Sequence, residues 1–297
     1  MAKIILCPGQ GSQKPGMVTP WLDDDAAADF LRQAGETAGL DLVDLGTQAD
    51  AETLQDTAVT QPLIAALSLA GALSAGLLAQ PGNVVAGHSL GGLTALGVAG
   101  VLEPLEVVRL AAARGRAMAQ CAAQNPGVMV ALLGGQPAEV LSAIADAGMT
   151  PANINGAGQI VAAGTPQQFA AMQSSLPDGV RARSLPVAGA FHTQAMAAAE
   201  ATFLQEVGSV QASAPACDLV DDATGELHPA GTPLGDVAQW VARKITRPVR
   251  WDLVSETLNG REVEQAVELP PAGVLSALAR RGLTGAKCLP LRPAQGA

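Results

Sequence analysis

A serine with a glycine two positions before it and another two positions after it is the most chemically suggestive feature of the sequence. Ser89 lies in the run Gly87-His88-Ser89-Leu90-Gly91, with three apolar residues before it and a small-residue helical pattern, Leu93–Val101, after it. This order predicts a sharp turn from a strand into a helix. Such a turn raises the serine hydroxyl at a helix N-terminus, where backbone N–H groups can stabilise an oxyanion. We predict that Ser89 is a nucleophile; the alternative is a serine that only caps the helix.

A serine nucleophile needs a base, and the chain contains three histidines. His88 adjoins Ser89, and its side chain is expected to diverge from the serine. His228 lies in a polar turn and is expected at the surface. His192 lies after a buried strand and loop and at the start of a helix, so elimination favours it as the base.

The group that orients the histidine is left open by the pattern. A histidine base usually donates its second ring proton to an acceptor. By residue type Asp218, Asp221 and Asp222 are candidates, although Asp221-Asp222 followed by Ala-Thr-Gly is more naturally a turn. A backbone carbonyl could serve equally well.

Three arginines follow the predicted turn on the next helix, at Arg109, Arg114 and Arg116. An arginine at the mouth of the cleft would offer a planar fork to a substrate carboxylate. Spacing alone does not rank the three.

A glycine-rich loop follows the first apolar run of the chain. Pro8-Gly9-Gln10-Gly11-Ser12-Gln13 comes directly after a predicted strand, Lys3–Cys7. The dinucleotide spacing is absent and no Gly-Lys-Ser/Thr follows, so a phosphate loop is not favoured. We predict that the loop brings backbone N–H groups and Gln10 near Ser89; the alternative is an ordinary turn.

The predicted elements around these residues alternate between strand and helix. The strands are Lys3–Cys7, Asn83–Gly87, Gly127–Leu133, Ala152–Asn155, Gln159–Ala163, Val180–Val187, Cys217–Val220, Glu264–Leu269 and Ala286–Leu291. The helices are Asp23–Gly39, Asp56–Ala79, Leu93–Val101, Pro104–Ala123, Pro137–Ala147, Pro166–Leu176, Gln194–Gly208, Pro233–Ile245, Ala272–Arg281 and one within Pro248–Leu258. The alternation predicts an α/β fold with a mostly parallel sheet covered on both faces.

The order changes to β-α-β-β-α-β in the middle of the chain, which is the split βαβ, ferredoxin-like unit. We therefore predict a small ferredoxin-like subdomain at 125–188, inserted into a large catalytic α/β subdomain made of 1–124 and 189–297.

Composition excludes several classes of protein. Of 297 residues 48% are hydrophobic, and the net charge of −10 without a basic run argues against nucleic acid and against an anionic membrane surface. The N-terminal apolar run is too short for a signal peptide, and no apolar run is predicted to span a membrane. Four cysteines without paired spacing predict a cytoplasmic protein and no metal site.

Taken together, the motifs closely resemble those of bacterial malonyl-CoA:acyl-carrier-protein transacylases, within the acyltransferase family, over nearly the whole chain. The motifs that carry the resemblance are Pro8-Gly9-Gln10-Gly11-Ser12-Gln13, Gly87-His88-Ser89-Leu90-Gly91, Arg114-Gly115-Arg116-Ala117-Met118, Gly189-Ala190-Phe191-His192, Asn153-Ile154-Asn155-Gly156 and Pro248-Val249-Arg250-Trp251.

The resemblance implies an α/β-hydrolase-like large subdomain with a ferredoxin-like insert, and roles for the catalytic residues. Ser89 is implied as the nucleophile that accepts the acyl group, and His192 as the general acid and base. The backbone N–H groups of Gln10 and Leu90 are implied as the oxyanion hole.

The resemblance also implies how substrates are bound. Arg114 is implied as the partner of the malonyl carboxylate, Phe191 as the ring that excludes an α-methyl branch, and Gln61 as a residue lining the site. The implied partners are malonyl-CoA and the phosphopantetheine thiol of acyl carrier protein, with neither metal nor cofactor, and we expect a monomer. The alternatives are the same transfer in polyketide synthesis or in malonate decarboxylase, a serine hydrolase, and a non-catalytic acyl-CoA-binding module.

Because carrier proteins are acidic, we also expect basic residues at the mouth of the cleft, with Lys244, Arg247 and Arg250 as candidates.

Two positions depart from the family pattern. The family commonly has Glu after the second glycine of the turn, where this chain has Gly92, and Gln four residues before Pro248, where this chain has Lys244. In the family the second position is thought to orient the histidine through its backbone carbonyl, which Lys244 can do as well. If a side-chain acceptor were needed instead, lysine would fail, because it has none.

Overall fold

The computed structural model describes residues 2–187, 189–208 and 210–293. Its strands are β1 (Ile4–Cys7), β2 (Val84–Gly87), β3 (Val128–Leu133), β4 (Thr150–Gly156), β5 (Gln159–Gly164), β6 (Arg181–Ser184), β7 (Asp218–Val220), β8 (Leu227–His228), β9 (Gln265–Glu268) and β10 (Lys287–Pro290). Its α-helices are α1 (Asp25–Ala38), α2 (Leu42–Gln48), α3 (Thr57–Ser74), α4 (Leu90–Val98), α5 (Pro104–Gln124), α6 (Pro137–Asp146), α7 (Pro166–Gln173), α8 (Ala197–Val207), α9 (Val237–Arg243), α10 (Trp251–Asn259) and α11 (Val274–Gly282).

The larger sheet has the strand order β10-β9-β1-β2-β7-β8, parallel from β10 to β7, with β8 antiparallel at the edge. Strands β1 and β2 lie at its centre and are fully buried, which suits their continuous apolar sequences. Their parallel register pairs Cys7 with Gly87, so the loop after β1 and the turn after β2 leave the sheet side by side. The mixed α/β fold with a mostly parallel sheet is confirmed.

Helix α3 lies in the main core, with α5 in the same cluster of buried residues. By length and a mean hydropathy of 1.4 it could cross a membrane, but 78% of it is buried inside the protein, as is usual for a core helix. Its Gln61 and the Arg114 of α5 meet in the core at a hydrogen bond. The packing of these two helices therefore determines where the arginine points.

A second sheet is antiparallel, with the order β4-β5-β3-β6. It forms a small core of its own with α6 and α7, and its elements follow the predicted order β-α-β-β-α-β. The segment after α9 joins this sheet, because Ile154 N–H donates to Val249 O at 2.8 Å and Val249 N–H donates to Ala152 O at 2.9 Å.

Some local predictions were wrong. Helix α4 begins at Leu90, one turn before the predicted start at Leu93, because the helix follows Ser89 at once through a glycine-rich first turn of low helix propensity. Helix α2 was missed because seven residues are too few to show helical periodicity. Its N-terminus is capped by Asp41, whose side chain accepts from Asp44 N–H.

His228 was expected at the surface in a turn, and this was also wrong. It is half-buried in β8, opposite Leu219 of β7, and its Nε2 is enclosed. A two-residue strand carries no alternation that a sequence pattern could reveal.

Candidate active site

The turn between β2 and α4 places Ser89 in a strained backbone conformation, with φ at +58° and ψ at −110°. A Cβ at Gly87 would collide with the carbonyl of Gly91, and a Cβ at Gly91 would collide with the carbonyl of Cys7. Only glycine fits at both positions, which explains the Gly-x-Ser-x-Gly spacing. The Ser89 side chain does not cap α4 and is free to act elsewhere.

His192 meets the serine in this structure. Its Nε2 lies 2.7 Å from Ser89 Oγ, although the two residues are separated by 103 positions in the chain. Its Nδ1 lies 3.0 Å from the backbone carbonyl oxygens of both Lys244 and Arg247. Because carbonyl oxygens only accept, Nδ1 carries the proton and Nε2 is the acceptor for the serine hydroxyl. The orienting group is thus a backbone acceptor rather than one of the three aspartates.

The electrostatic environment keeps His192 neutral. Burial and, next, the positive charge of Arg114 lower the pKa of His192 from its usual 6.5 to about 4, although the Asp222 carboxylate acts in the opposite direction. At neutral pH the ring is therefore unprotonated and can take the serine proton.

The loop after β1 runs beside the turn. Gln10 lines the same cleft as Ser89 and His192, and its side chain is held by a hydrogen bond from Nε2 to Thr57 Oγ1 at 3.2 Å. Within the described part of the chain, the backbone N–H groups of Gln10 and Leu90 have no acceptor. Both donors are therefore unoccupied in the described structure.

Arg114 is the one of the three arginines that lines the cleft. It is buried, and its Nη1 donates to Gln61 Oε1 at 2.8 Å. Its Nη2 has no hydrogen-bond partner among the residues that the structure describes. Burial lowers its pKa from 12.5 to about 10, which still leaves it a cation at neutral pH. Arg109 pairs with Glu106 and Arg116 pairs with Glu206 on the outside of the helix. A buried guanidinium with an unused donor fits an anionic group entering the cleft.

The cleft has a volume of about 550 Å³. Its lining comes from the loops that follow β1 and β2 and from strands of the antiparallel sheet. Phe191 and Gln61 are buried and form part of its wall. His88 also lines it, but its Nε2 is 2.9 Å from Asn155 Oδ1 and its ring packs 5.6 Å from the Trp251 ring. His88 is therefore a wall of the cleft and not the base, as expected from the sequence.

An arrangement that the sequence did not predict surrounds the turn on another side. Asp222 accepts a hydrogen bond from Ser89 N–H at 2.7 Å, and its other oxygen pairs with the Lys244 ammonium. Lys244 also lies 3.2 Å from Asp221 Oδ1 and 3.3 Å from the centre of the Trp240 ring. From the sequence the two aspartates are either partners of the histidine or, more naturally, part of a turn with Ala223-Thr224-Gly225, and the structure does contain this turn. No sequence pattern pointed to a contact between Asp222 and a backbone group 133 positions away.

The expected basic patch at the cleft mouth is wrong for Lys244, which is buried and paired. Arg250 forms an ion pair with Asp252 at 2.8 Å. Arg247 is exposed, as the expected patch requires. Burial of Lys244 follows from its carbonyl facing His192 while its side chain reaches the two aspartates.

A serine on a strand–turn–helix, a histidine on a distant loop and a buried arginine thus face one cleft. Residues 4–293 match the model of the family described as the acyl transferase domain, and the chain belongs to this family.

The curated relatives of the chain have names that specify one activity within this family. The chain is 42% identical to the malonyl CoA-acyl carrier protein transacylase of Mycobacterium tuberculosis, over 95% of this chain and 93% of the relative. It is 31% identical to the protein of the same name from Escherichia coli, over 92% of this chain and 90% of the relative. The crystal structure of MCAT from M. tuberculosis superposes with a TM-score of 0.93 at 40% identity, covering 99% of this chain and 97% of that one.

Proposed function

We propose that this chain transfers a malonyl group from malonyl-CoA to the phosphopantetheine thiol of acyl carrier protein, and so supplies extender units for fatty acid synthesis. The single observation that carries the proposal is the Nη2 of buried Arg114, which has no partner within residues 2–187, 189–208 and 210–293 and lies in the same cleft as the Ser89–His192 pair. A cation placed beside the nucleophile suits an acyl group that itself ends in a carboxylate. The names of the relatives support the same conclusion.

The first half-reaction acylates the enzyme. Ser89 Oγ attacks the thioester carbonyl of malonyl-CoA while His192 Nε2 accepts its proton. The resulting oxyanion lies within reach of the Gln10 and Leu90 N–H groups, each of which contributes a factor of about 10²–10³ in rate by analogy with other oxyanion holes. The carbon–sulfur bond then breaks, and CoA leaves as a thiol with the proton that His192 returns.

The second half-reaction runs the same steps in reverse. The phosphopantetheine thiol gives its proton to His192, and its sulfur attacks the malonyl-serine ester. The carbon–oxygen bond breaks, and Ser89 Oγ recovers the proton from His192. Because the two substrates use one site in turn, the kinetics are ping-pong.

Selectivity for malonyl comes from the groups around Arg114. A malonyl carboxylate pairs with the free Nη2, whereas an acetyl group would leave this buried donor empty, which costs about 1.5–3 kcal/mol for a hydrogen bond to a charged group. Gln61 holds the guanidinium by its Oε1 at 2.8 Å, so the fork is already oriented when substrate arrives. Phe191 occupies the wall where an α-methyl branch would have to fit.

We also propose that the chain is divided into two subdomains. Residues 125–188 form a ferredoxin-like insert in an α/β-hydrolase-like subdomain made of 1–124 and 189–297. The observed order β3-α6-β4-β5-α7-β6 and the separate small core support this division. The boundary residue Ala188, together with Met1, Ser209 and residues 294–297, lies outside the described residues.

The test is incubation with malonyl-CoA followed by intact mass spectrometry. We expect one malonyl group per chain, lost in Ser89→Ala, kept in Ser142→Ala, whose serine is exposed on α6, and discharged by phosphopantetheinylated carrier protein. Release of free malonate without transfer would identify a hydrolase instead. Absence of any adduct on the unmodified protein would identify a module that only binds acyl-CoA.

A further inference from the structure

Both oxygens of the Asp222 carboxylate have partners, and the partners lie on two different elements. It is almost fully buried, one oxygen accepts the N–H of Ser89 at 2.7 Å, and the other pairs with the Lys244 ammonium. A charge-assisted hydrogen bond to the backbone of the nucleophile itself restrains the strained φ and ψ of Ser89. Asp222 thus acts on the conformation of the serine without touching its hydroxyl.

Lys244 holds the other catalytic group at the same time. Its backbone carbonyl accepts from His192 Nδ1 at 3.0 Å, while its side chain reaches Asp222. One residue therefore connects His192 through its main chain with Ser89 through its side chain and a carboxylate. A change in the position of Lys244 alters both ends of the Ser89–His192 hydrogen bond.

Gly92 makes room for this arrangement. A Cβ at this position would lie 2.8 Å from Asp222 Oδ1. The glutamate common at this position in the family would bring a second carboxylate against the first. The two departures from the family pattern, at Gly92 and Lys244, are thus two parts of one local structure.

We propose that Asp222 and Lys244 are positioning residues of the acyl transfer site, which set the Ser89–His192 geometry and limit the negative charge beside the oxyanion hole. The carboxylate lies at the first turn of α4, between the Ser89 N–H and Gly92, and the Leu90 N–H of that turn is one of the two oxyanion-hole donors in the proposed reaction. An unbalanced negative charge there would oppose the oxyanion, and the Lys244 ammonium, which Asp222 shares with Asp221, reduces it. The inference rests on the proposed function, because it concerns the same serine.

The charges that face His192 give this proposal a readout in pH. Arg114 on α5 and His88 after β2 lower the pKa of His192, whereas Asp222 raises it and the Lys244 carbonyl also raises it by accepting from Nδ1. Removing the Lys244 charge leaves the Asp222 charge unbalanced and moves the pKa of His192 up. Removing the Asp222 charge moves it down.

The experiment compares Lys244→Gln, Asp222→Asn and the double variant by single-turnover malonylation of Ser89 across pH. We expect each single variant to acylate about 30-fold more slowly, with the pH midpoint about one unit higher in Lys244→Gln and lower in Asp222→Asn. In the double variant a neutral amide pair replaces the ion pair, and we expect a rate within about fivefold of the original protein. Arg261→Gln, which removes an outer ion pair with Asp218, is the matched control and should change neither quantity.

Each outcome decides the proposal. Acylation rates within about twofold in all variants, or midpoints that do not move in opposite directions, would overturn it whatever happens to the melting temperature. If the single variants do not fold, Gly92→Ala and the double variant decide instead. The first displaces the carboxylate with both charges intact and should slow acylation about tenfold without raising KM; an unchanged rate in Gly92→Ala would overturn the proposal.

The same assay separates this inference from the proposed function. If the unmodified protein is not malonylated on Ser89, the proposed function fails. In that case the rate at which a fluorophosphonate labels Ser89 still reports on the nucleophile, and it should fall in the same order across the variants. If the unmodified protein is malonylated and the variants match it, only the positioning role fails.

Discussion

Two buried cations lie near the nucleophile, and they differ in how completely they are neutralised. Arg114 lines the cleft, with Nη1 bonded to Gln61 and Nη2 without a partner in the described part of the chain. Lys244 does not line that cleft, and it is surrounded by two carboxylates and the Trp240 ring. The same physical rule, that a buried charge must be compensated, therefore gives opposite roles. The uncompensated cation is ready for a ligand, whereas the compensated one holds the protein together.

The largest expected effect is the loss of the nucleophile, and the same variant shows which of the two cations binds the substrate. Ser89→Ala should lower malonyl transfer by a factor of about 10⁴ or more, because the nucleophile is lost. In this background Arg114→Gln should still weaken binding of malonyl-CoA, measured by calorimetry, while Lys244→Gln should leave binding unchanged. If both substitutions weakened binding equally, the distinction between a ligand-binding and a positioning cation would be wrong.

The next effect concerns Arg114 itself. Arg114→Gln should reduce kcat/KM for malonyl-CoA by about 100-fold, since it removes a charged hydrogen bond to the substrate carboxylate. Transfer of acetyl from acetyl-CoA should not fall, so the ratio of the two rates is the measurement. Arg116→Gln is the matched control on the same helix, because Arg116 is exposed and paired with Glu206. An equal loss for acetyl and malonyl would show that Arg114 supports the fold of the site rather than selects the substrate.

The free energy of unfolding should depend on Lys244 more than on Arg114, which is the reverse of their order for substrate binding. Lys244→Met leaves Asp222 buried without its partner and should lower the free energy of unfolding by about 3 kcal/mol, as breaking a buried pair typically does. Arg114→Met removes a cation that is itself incompletely paired and should leave the free energy of unfolding unchanged or higher. Urea unfolding measures both. A larger loss in Arg114→Met than in Lys244→Met would reverse the assignment.

The smallest effect is a shift in pH dependence. Since the pKa of His192 is lowered to about 4, the rate of Ser89 acylation should rise through this pH and stay level at neutral pH. Arg114 contributes to the lowering, so Arg114→Gln should move the midpoint upward, by about half a unit to one unit. The linked stability follows the same sign: the unfolded chain binds more protons than the folded one between about pH 4 and 6.5, so His192 lowers stability as pH falls through this range. A midpoint that is the same in both proteins would contradict the assigned cause of the shift.

Much of the fold could be predicted because it depends on local patterns. Apolar runs of strand length, helical spacing and the residues that end helices are readable within a few positions, and the parallel sheet followed from their alternation. The prediction failed where an element is short or lacks apolar periodicity, as in α2, β8 and the glycine-rich first turn of α4. In such elements tertiary contacts, and not local preference, determine the conformation.

The sequence by itself pointed to the strained turn at Ser89, because the Gly-x-Ser-x-Gly spacing between an apolar run and a helical pattern is local, and Gly87 meets only the nearby backbone of Gly91 and Gly92. The fit at Gly91 also depends on the carbonyl of Cys7 in the neighbouring strand. The sequence also narrowed the base to His192 by elimination. Spacing did not rank the arginines, and the family resemblance only implied Arg114 and the Lys244 carbonyl. The tertiary structure alone shows the contacts that place both groups, and it alone decided where Lys244 places its charge. These outcomes depend on contacts such as Ser89–Asp222, across 133 positions, and Arg114–Gln61, across 53. Side chains that far apart in sequence meet only after helices and strands have packed, so no local pattern carries the information.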